Sequence, residues 1–225
     1  MKTRTRSREP LSRERILTTA LRLVEESGVE ALSMRKLAGE LGVEAMSLYN
    51  HVANKDAVLD GITEAVLLRM EVPARTADWR RDARAFGAAF RRVALAHPHT
   101  ASLTLTRQLE SASALPLTEA ALDILRRAGF DAEGAVHALR ALLAYLVGTL
   151  LREVHASPTF SGLEPEGRAA RERALAATGL PRVTESAAHL AVCHHEAEYD
   201  FGLELMIEAL TARRPGPRSA GPGRG

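Results

Sequence analysis

The segment SMRKLAGELGVEAMSLYNHVANKD, residues 33–56, contains two short helical patterns that meet at a glycine. Ser33 can cap the first pattern. Gly42 can stop it, because the residue after a helix often takes the left-handed conformation that glycine tolerates. The second pattern, from about Glu44 to His51, is about two turns long, and isolated helices of that length are not stable in water. Neighbouring helices must therefore hold it in place.

The composition of the whole chain favours an all-α protein. Its 225 residues are 46% hydrophobic, and Ala, Leu, Arg and Glu dominate while strand-forming runs are scarce. The single cysteine, Cys193, excludes an internal disulfide framework and suits the reducing cytoplasm. No apolar run approaches the ~18 residues of a membrane span, and the first residues lack the apolar core of a signal peptide. We expect a cytoplasmic protein with no membrane segment.

The two ends of the chain differ from its middle. The net charge is only +2, yet basic residues crowd residues 1–11, which we predict to be a disordered arm. A polyanion such as DNA would explain the crowding, because binding releases counterions from phosphates. A solubilising tail explains it equally well. Residues 214–225 are rich in Gly, Pro and Arg, and we predict that they are disordered too.

Helical periodicity and capping residues divide the middle of the chain into helices. Gly28, in a left-handed conformation, should end the first helix, and Pro73 should close the fourth. The remaining stretch, residues 157–181, reads as a connection that contains one helix. The predicted helices are 12–27, 33–41, 44–51, 54–72, 78–96, one from the His97–His99 break to Gln108, 117–128, 131–155, 168–177 and 185–212.

The pattern in residues 33–56 matches a helix-turn-helix, whose second helix enters the major groove of DNA. A solvated face usually carries Glu and Lys, whereas this one carries small, hydroxyl, amide and aromatic groups. Asn reads adenine, Ser suits a base or a phosphate, and Met or Ala can meet the thymine methyl. Tyr and Lys more often anchor phosphates. The outward candidates are Ala45, Met46, Ser47, Tyr49, Asn50 and His51.

Residues 12–72, and especially LSMRKLAGELGVEAMSLYNHVANKDAVLD, resemble the DNA-binding domain of the tetracycline-repressor (TetR) family. GFDAEGAVHALRALLAYLVGTLL and FGLELMIEAL are similar to the regulatory domain of the tetracycline-repressor branch. The resemblance implies a helix-turn-helix domain joined by its fourth helix to a C-terminal ligand-binding and dimerisation domain, residues 73–213. It places at DNA-contact positions Arg35, Met46, Ser47, Tyr49, Asn50, His51 and Lys55.

The resemblance also implies how the C-terminal domain works. The family binds a small molecule inside a helical bundle and forms a homodimer through its last two long helices, here 131–155 and 185–212. Thr104 stands where the founding branch has its metal-binding His, and Glu71 stands where it has its first drug-binding His. Both differences argue against tetracycline–Mg²⁺ as the inducer, so no cofactor is expected.

The residues expected to surround an effector are mostly apolar, which favours a hydrophobic or amphiphilic ligand. Arg107, Glu110 and His137 are candidates to orient it, although His137 can equally face solvent. His97 and His99 either contact an effector or cap a helix end. The expected apolar walls are Trp79, Phe86, Phe90, Leu103, Leu143, Leu146 and Val147.

The segment CHHEAE, residues 193–198, is the most metal-like part of the chain. His194 and Glu198 are four residues apart and could share a cation, but no third ligand is evident, and Cys193 is more often a small buried group. No catalytic motif appears, so we expect no enzyme activity. A ligand-responsive dimeric repressor of a palindromic operator is the leading hypothesis. A helical metal-dependent hydrolase and an effector-independent DNA-binding protein are the alternatives.

Overall fold

The computed structural model describes residues 10–106, 115–154 and 164–213, and the regular elements in these ranges are all helices. The α-helices are α1 (Arg13–Ser27), α2 (Met34–Leu41), α3 (Ala45–Leu48), α4 (Lys55–Leu67), α5 (Trp79–Ala96), α6 (Pro98–Thr106), α7 (Leu115–Arg127), α8 (Ala132–Val154), α9 (Pro165–Ala176), α10 (Pro181–Glu185), α11 (Ala187–Leu190) and α12 (His195–Ala212).

The first of two compact units comprises Met1–Glu71 and Val93–Ala114. Its core is built from the inward faces of α1, α2, α3 and α4, and Ile16, Leu37, Leu48 and Ile62 are fully buried there. Residues 93–106, predicted from sequence to belong to the C-terminal domain, group with this unit by their contacts. The domain bounds proposed from sequence stay a prediction.

Side-chain caps begin three helices of this unit where the sequence predicted them. The Ser12 hydroxyl accepts from the Arg15 amide at 3.2 Å and begins α1. The Ser33 hydroxyl likewise begins α2, and the Asn54 side chain accepts from the Ala57 amide at 2.8 Å to begin α4. Each cap satisfies an N–H group that a helix leaves without an intrahelical partner.

The start of α6 is tied to α1 within the same unit. The Glu25 carboxylate accepts hydrogen bonds from the Thr100 amide at 3.1 Å and from the Thr100 hydroxyl at 2.5 Å. An acidic group at this end of a helix satisfies free N–H groups and complements the helix dipole. This contact joins α1 to α6 by hydrogen bonds as well as by apolar packing.

The second unit comprises Val72–Arg92 and Leu115–Gly225. In it α8 packs against α7 and α12, around buried Leu125, Leu146, Tyr199 and Ile207. The sequence of this helix is apolar nearly all round between Leu139 and Leu151, which predicts cover on most sides, and α7 and α12 supply part of that cover.

A buried ion pair joins α5 to α7 in this unit. Arg127 donates to the Asp82 carboxylate at 2.7 Å, and the Thr76 hydroxyl donates to the same carboxylate at 2.6 Å. Burial opposes ionisation of Asp82, but the hydrogen bonds from Thr76 and Arg127 outweigh it, so the pKa of Asp82 lies below its ordinary value.

Two helices of the first unit end earlier than the sequence predicted. The helix expected to reach His51 is α-helical only to Leu48. The chain then continues in tighter turns, in which the His51 amide donates to the Leu48 carbonyl at 2.9 Å. The helix expected to run to Pro73 ends at Leu67 and continues in similar tight turns.

Gly28 also differs from the expectation of a left-handed cap. Its φ of 78° is positive, but its ψ of 164° is extended. This backbone leads directly into a short 3₁₀ helix, Val29–Ala31, which was not predicted from the sequence pattern.

The predicted last helix, residues 185–212, is not continuous. α10 and α11 are separate short helices, and the long helix begins only at His195. Glu196 and Glu198 lie in its first turn, where negative charge complements the positive end of the helix dipole. The connection before α10 contains α9, which begins at Pro165 rather than near residue 168.

α8 corrects the expectation that no segment resembles a membrane span. Its 23 residues reach a mean hydropathy of 1.5, which is sufficient to cross a membrane by length and composition alone. Core helices of soluble proteins have the same composition, and α8 buries Ala138, Leu146 and Leu150 in the second unit. Only 28% of its most apolar window is buried, however.

Candidate nucleic-acid interface and apolar cavity

The turn between α2 and α3 sets the direction of α3. Gly42 has a φ of 67° and a ψ of 38°, the left-handed conformation predicted for it. The Val43 amide donates to the Ala38 carbonyl at 3.0 Å, and the Gly42 amide donates to the Gly39 carbonyl at 3.1 Å. These paired bonds close the end of α2 and start α3 at a fixed angle.

One side chain of α3 anchors it, and its neighbours face outward. Leu48 is fully buried in the core of the first unit. Met46 is 75% exposed and Tyr49 is 46% exposed, while Asn50 and His51 are also exposed. Ser47 is half-buried, and Ala45, which the sequence predicted to face outward, is half-buried and packs against the same core. The short helix is thus held by its neighbours and presents polar and apolar groups side by side, as a DNA-reading helix requires.

Two basic residues flank this surface in the sequence. Arg35 is exposed in the first turn of α2, and Lys55 is the half-buried first residue of α4. The segment from Ala45 to His51 contains no acidic side chain. This segment therefore has no negatively charged side chain that would repel the phosphate groups of a nucleic acid.

The second unit contains an apolar cavity of about 40 Å³ between α5, α7, α8 and α12. It is lined by Ala83, Phe86, Gly87, Ala121, Ile124, Leu125, Leu139, Leu142, Leu143, Leu146 and Leu203. A cavity of this size holds a few waters, and a drug-sized ligand occupies several hundred Å³. An organic ligand must therefore push these helices apart to enter.

Three of the residues expected from sequence to surround an effector line this cavity: Phe86, Leu143 and Leu146. Trp79 and Phe90 lie in the surrounding core without lining the cavity. Val147 is half-buried on α8 and does not line it either.

The other expected residues lie elsewhere. Leu103 packs against the core of the first unit. His137 has a 70% exposed side chain, and its Nε2 lies 3.8 Å from Glu133 on the same helix, so the structure places it at the surface. Arg107 and Glu110 fall outside the described residues.

Sequence reasoning missed the small residues of the cavity wall. Ala83 and Gly87 are four residues apart on α5 and therefore lie on one face. That spacing was a readable signal of close helix packing. The contributions of Ile124 and Leu139 depend on which helices meet, and sequence does not show this.

His97 has a structural setting. Its Nε2 is 2.8 Å from an Arg69 nitrogen, and its Nδ1 is 3.9 Å from a Glu25 oxygen. Burial, followed by the positive charge of Arg69, lowers the pKa of His97 below its ordinary value, and Glu25 only partly opposes this. These effects favour the neutral form of His97, which lies at the junction of α5 and α6. His99 is exposed, and its amide donates to Glu25 at 3.4 Å.

The CHHEAE segment holds its acidic group in an ion pair. The Glu198 carboxylate accepts from Arg152 at 3.2 Å and lies 3.4 Å from the Cys193 sulfur. His194 is exposed and precedes α12. Within residues 10–106, 115–154 and 164–213, no three His, Cys, Asp or Glu side chains are grouped to hold a metal.

Both halves of the chain match known protein families. A model of "bacterial regulatory proteins, tetR family" matches residues 16–62, and one of the "tetracyclin repressor-like, C-terminal domain" matches residues 72–214. An HTH-type transcriptional regulator of Saccharopolyspora erythraea is 39% identical over 149 residues, which span 66% of this chain and 63% of that protein. The chain thus covers just under two thirds of this relative.

Two further relatives match nearly the whole chain. The class C tetracycline repressor of Escherichia coli is 32% identical over 91% of this chain and 92% of its own length. The crystal structure of the TetR family protein ActR of Streptomyces coelicolor, in complex with actinorhodin, has a TM-score of 0.83 and 28% identity. That match covers 92% of this chain and 100% of ActR.

Proposed function

This chain belongs to the TetR family of bacterial regulatory proteins, and we propose that it is a soluble, cytoplasmic, homodimeric repressor. It binds a palindromic operator in double-stranded DNA through α3. It leaves the operator when a hydrophobic or amphiphilic small molecule enters the cavity of the second unit. The family consists of DNA-binding transcriptional regulators, which favours this function over the hydrolase alternative.

The observation that carries the DNA-binding part is the exposure of Met46 and Tyr49 beside the buried Leu48. Large apolar groups cost solubility when they lie on a surface with no partner. A DNA major groove supplies that partner, because the thymine methyl meets Met46 and the phosphates accept hydrogen bonds from Tyr49. Asn50 and Ser47 then read base edges, Arg35 and Lys55 bind phosphates, and Ala45 and His51 complete the contact surface.

The dimer part of the proposal is supported by α12. Leu203, Ile207 and Leu210 are buried in the unit's own core, whereas Phe201 is 69% exposed and Leu205 is 50% exposed. These two side chains are four residues apart and lie on the same outer face. A second copy that buries this face and the outer face of α8 forms a two-fold dimer.

The effector part of the proposal is supported by the apolar cavity. ActR is solved with actinorhodin, which shows that a protein with this fold holds an organic ligand. Because the cavity measures only about 40 Å³, a ligand must bind a widened state of the helices. A coupling of about 100-fold between ligand and operator requires a differential affinity of about 2.7 kcal/mol.

The test of the DNA-binding part is a selection of duplexes from a random pool by the purified full chain. We expect an inverted repeat whose half-site centres lie about one turn of B-DNA, ~34 Å, apart. The Tyr49→Ala variant serves as the weakened control. Recovery of duplexes with no shared motif would refute sequence-specific regulation and favour a non-specific DNA-binding role.

The effector part is tested on the selected duplex. Compounds of several chemical classes are added to the protein–DNA complex, and release is followed by fluorescence anisotropy of the labelled duplex. We expect apolar compounds with few polar groups to release the protein. A set of active compounds made only of small, highly charged metabolites would contradict the apolar cavity as the effector site.

A further inference from the structure

Tyr199 is a buried polar group whose hydroxyl lacks a partner among the described residues. The residue is 2% exposed, and its hydroxyl oxygen makes no hydrogen bond with any described atom. Burying a hydroxyl without a partner costs about 1–3 kcal/mol. Buried polar groups in native proteins are nearly always paired, so an unpaired one requires an explanation.

The position of this hydroxyl suggests the explanation. A Cβ atom added to Gly87 would lie 3.0 Å from the Tyr199 hydroxyl and 3.1 Å from Leu203 Cδ2. Gly87 and Leu203 both line the cavity, as does Leu146, which lies 3.8 Å from the same point. Tyr199 itself does not line the cavity, but its hydroxyl lies directly beside Gly87, the lining position that has no side chain.

We propose that the Tyr199 hydroxyl is the hydrogen-bond donor that anchors the effector, across Gly87, in an otherwise apolar cavity. The inference rests on the proposed effector function and adds to it a required feature of the ligand. The ligand is a compact apolar ring system that carries a carbonyl or ether oxygen at the end facing Gly87. One polar group in such a site orients a ligand, and it discriminates against analogues that lack the acceptor.

The surroundings of Tyr199 suit a donor. Burial raises the pKa of the Tyr199 phenol far above its ordinary value, so the phenol keeps its proton throughout the physiological range. The Arg91 guanidinium carbon lies 5.3 Å from the centre of the ring, and Arg91 also pairs with Glu153 at 2.6 Å. These contacts hold the ring in place before a ligand arrives.

Tyr145 offers a matched control. Its ring centre is 6.2 Å from that of Tyr199, but its hydroxyl already donates to the Tyr199 carbonyl at 2.6 Å. Neither tyrosine lines the cavity, but the Tyr199 hydroxyl lies beside the lining residue Gly87, whereas the Tyr145 hydroxyl lies beside Gly202. Tyr145→Phe thus removes a hydroxyl that already has a hydrogen-bond partner, whereas Tyr199→Phe removes one that has none among the described residues.

The experiment measures binding of two probes of almost equal shape, indane and 1-indanone, by isothermal titration calorimetry with the full chain. Only 1-indanone carries a carbonyl. We expect Tyr199→Phe to weaken 1-indanone about tenfold relative to wild type and to leave indane unchanged, because the buried carbonyl loses its donor. Tyr145→Phe is expected to leave the ratio of the two affinities at its wild-type value.

Thermal unfolding without ligand provides a second measurement. Removing an unpaired hydroxyl removes a penalty, so we expect Tyr199→Phe to melt at the same temperature as wild type or higher, and Tyr145→Phe to melt lower. A clear loss of stability in Tyr199→Phe would show that its hydroxyl already has a partner, and that result would overturn the proposal.

The binding outcomes separate the anchor from the function it rests on. An unchanged ratio of 1-indanone to indane affinity in Tyr199→Phe would overturn the anchor while leaving the cavity as a ligand site. Failure of both probes to bind the wild-type chain would overturn the anchor and the effector site together. Operator selection would still test the DNA-binding function independently.

Discussion

At the scale of single residues, the proposed DNA contacts divide into base reading by Asn50, just after α3, and phosphate binding by Lys55 at the start of α4. We expect Asn50→Ala to relax the preference at one base position in each half-site, at a cost of about 1–3 kcal/mol, because a bidentate contact to one base is lost. Lys55→Ala is the matched comparison. It is expected to weaken all duplexes alike and to lower the magnitude of the log–log salt slope by about 1. Identical selected motifs for wild type and Asn50→Ala would show that Asn50 reads no base.

Substitutions at Gly42 and Gly39 test the turn that sets the direction of α3. Gly42 has a φ of 67°, which a side chain disfavours, whereas Gly39 lies inside α2 with nothing within 4 Å of an added Cβ. We expect Gly42→Ala to destabilise the chain by about 1–2 kcal/mol. Gly39→Ala is expected to stabilise it by up to about 1 kcal/mol, because alanine favours helix. Urea unfolding measures the change in the free energy of unfolding for each variant. If both variants changed it by the same amount and in the same direction, the special role of Gly42 in the turn would be disproved.

At the scale of elements, the Asp82–Arg127 pair holds α5 against α7. The folded-state pKa of Asp82 is lowered, so its contribution is fully present above its unfolded pKa and is lost as pH falls through the folded value. We expect Asp82→Asn to cost about 1.5–3 kcal/mol at pH 7 and the difference from wild type to shrink in acid. Unfolding free energies from pH 7 down to pH 3 give the comparison. A constant difference over that range would mean that the charge of Asp82 contributes nothing.

At the scale of the whole molecule, the proposed dimer through α12 is what would allow two α3 helices to bind one operator. We expect Phe201→Glu to produce a monomer that loses specific DNA binding, because a charge cannot be buried against the partner's apolar face. Leu68→Glu is the control, since Leu68 is 60% exposed but lies in the first unit. Sedimentation velocity compares the two variants with wild type. A monomeric wild-type protein that binds its operator tightly would contradict the proposal.

The sequence by itself determined the features that depend on near neighbours in the chain. Ser12, Ser33 and Asn54 cap helices, and Gly42 makes the turn, because each acts on backbone groups within a few residues. The outward side of α3 also followed from local periodicity, since Leu48 had to be buried. The family resemblance supplied the placement of the DNA-contact and dimer surfaces, and those assignments stay predictions.

Only the tertiary structure decided which distant residues meet. Periodicity shows that one side of a helix is apolar, but it does not show whether the cover is the chain's own core or a second copy. Leu203 and Leu205, two residues apart on α12, therefore look alike in sequence, yet one is buried and the other is half exposed. The approach of Tyr199 to Gly87 likewise depends on how α5 and α12 pack, because residues more than a hundred positions apart meet only when the core forms.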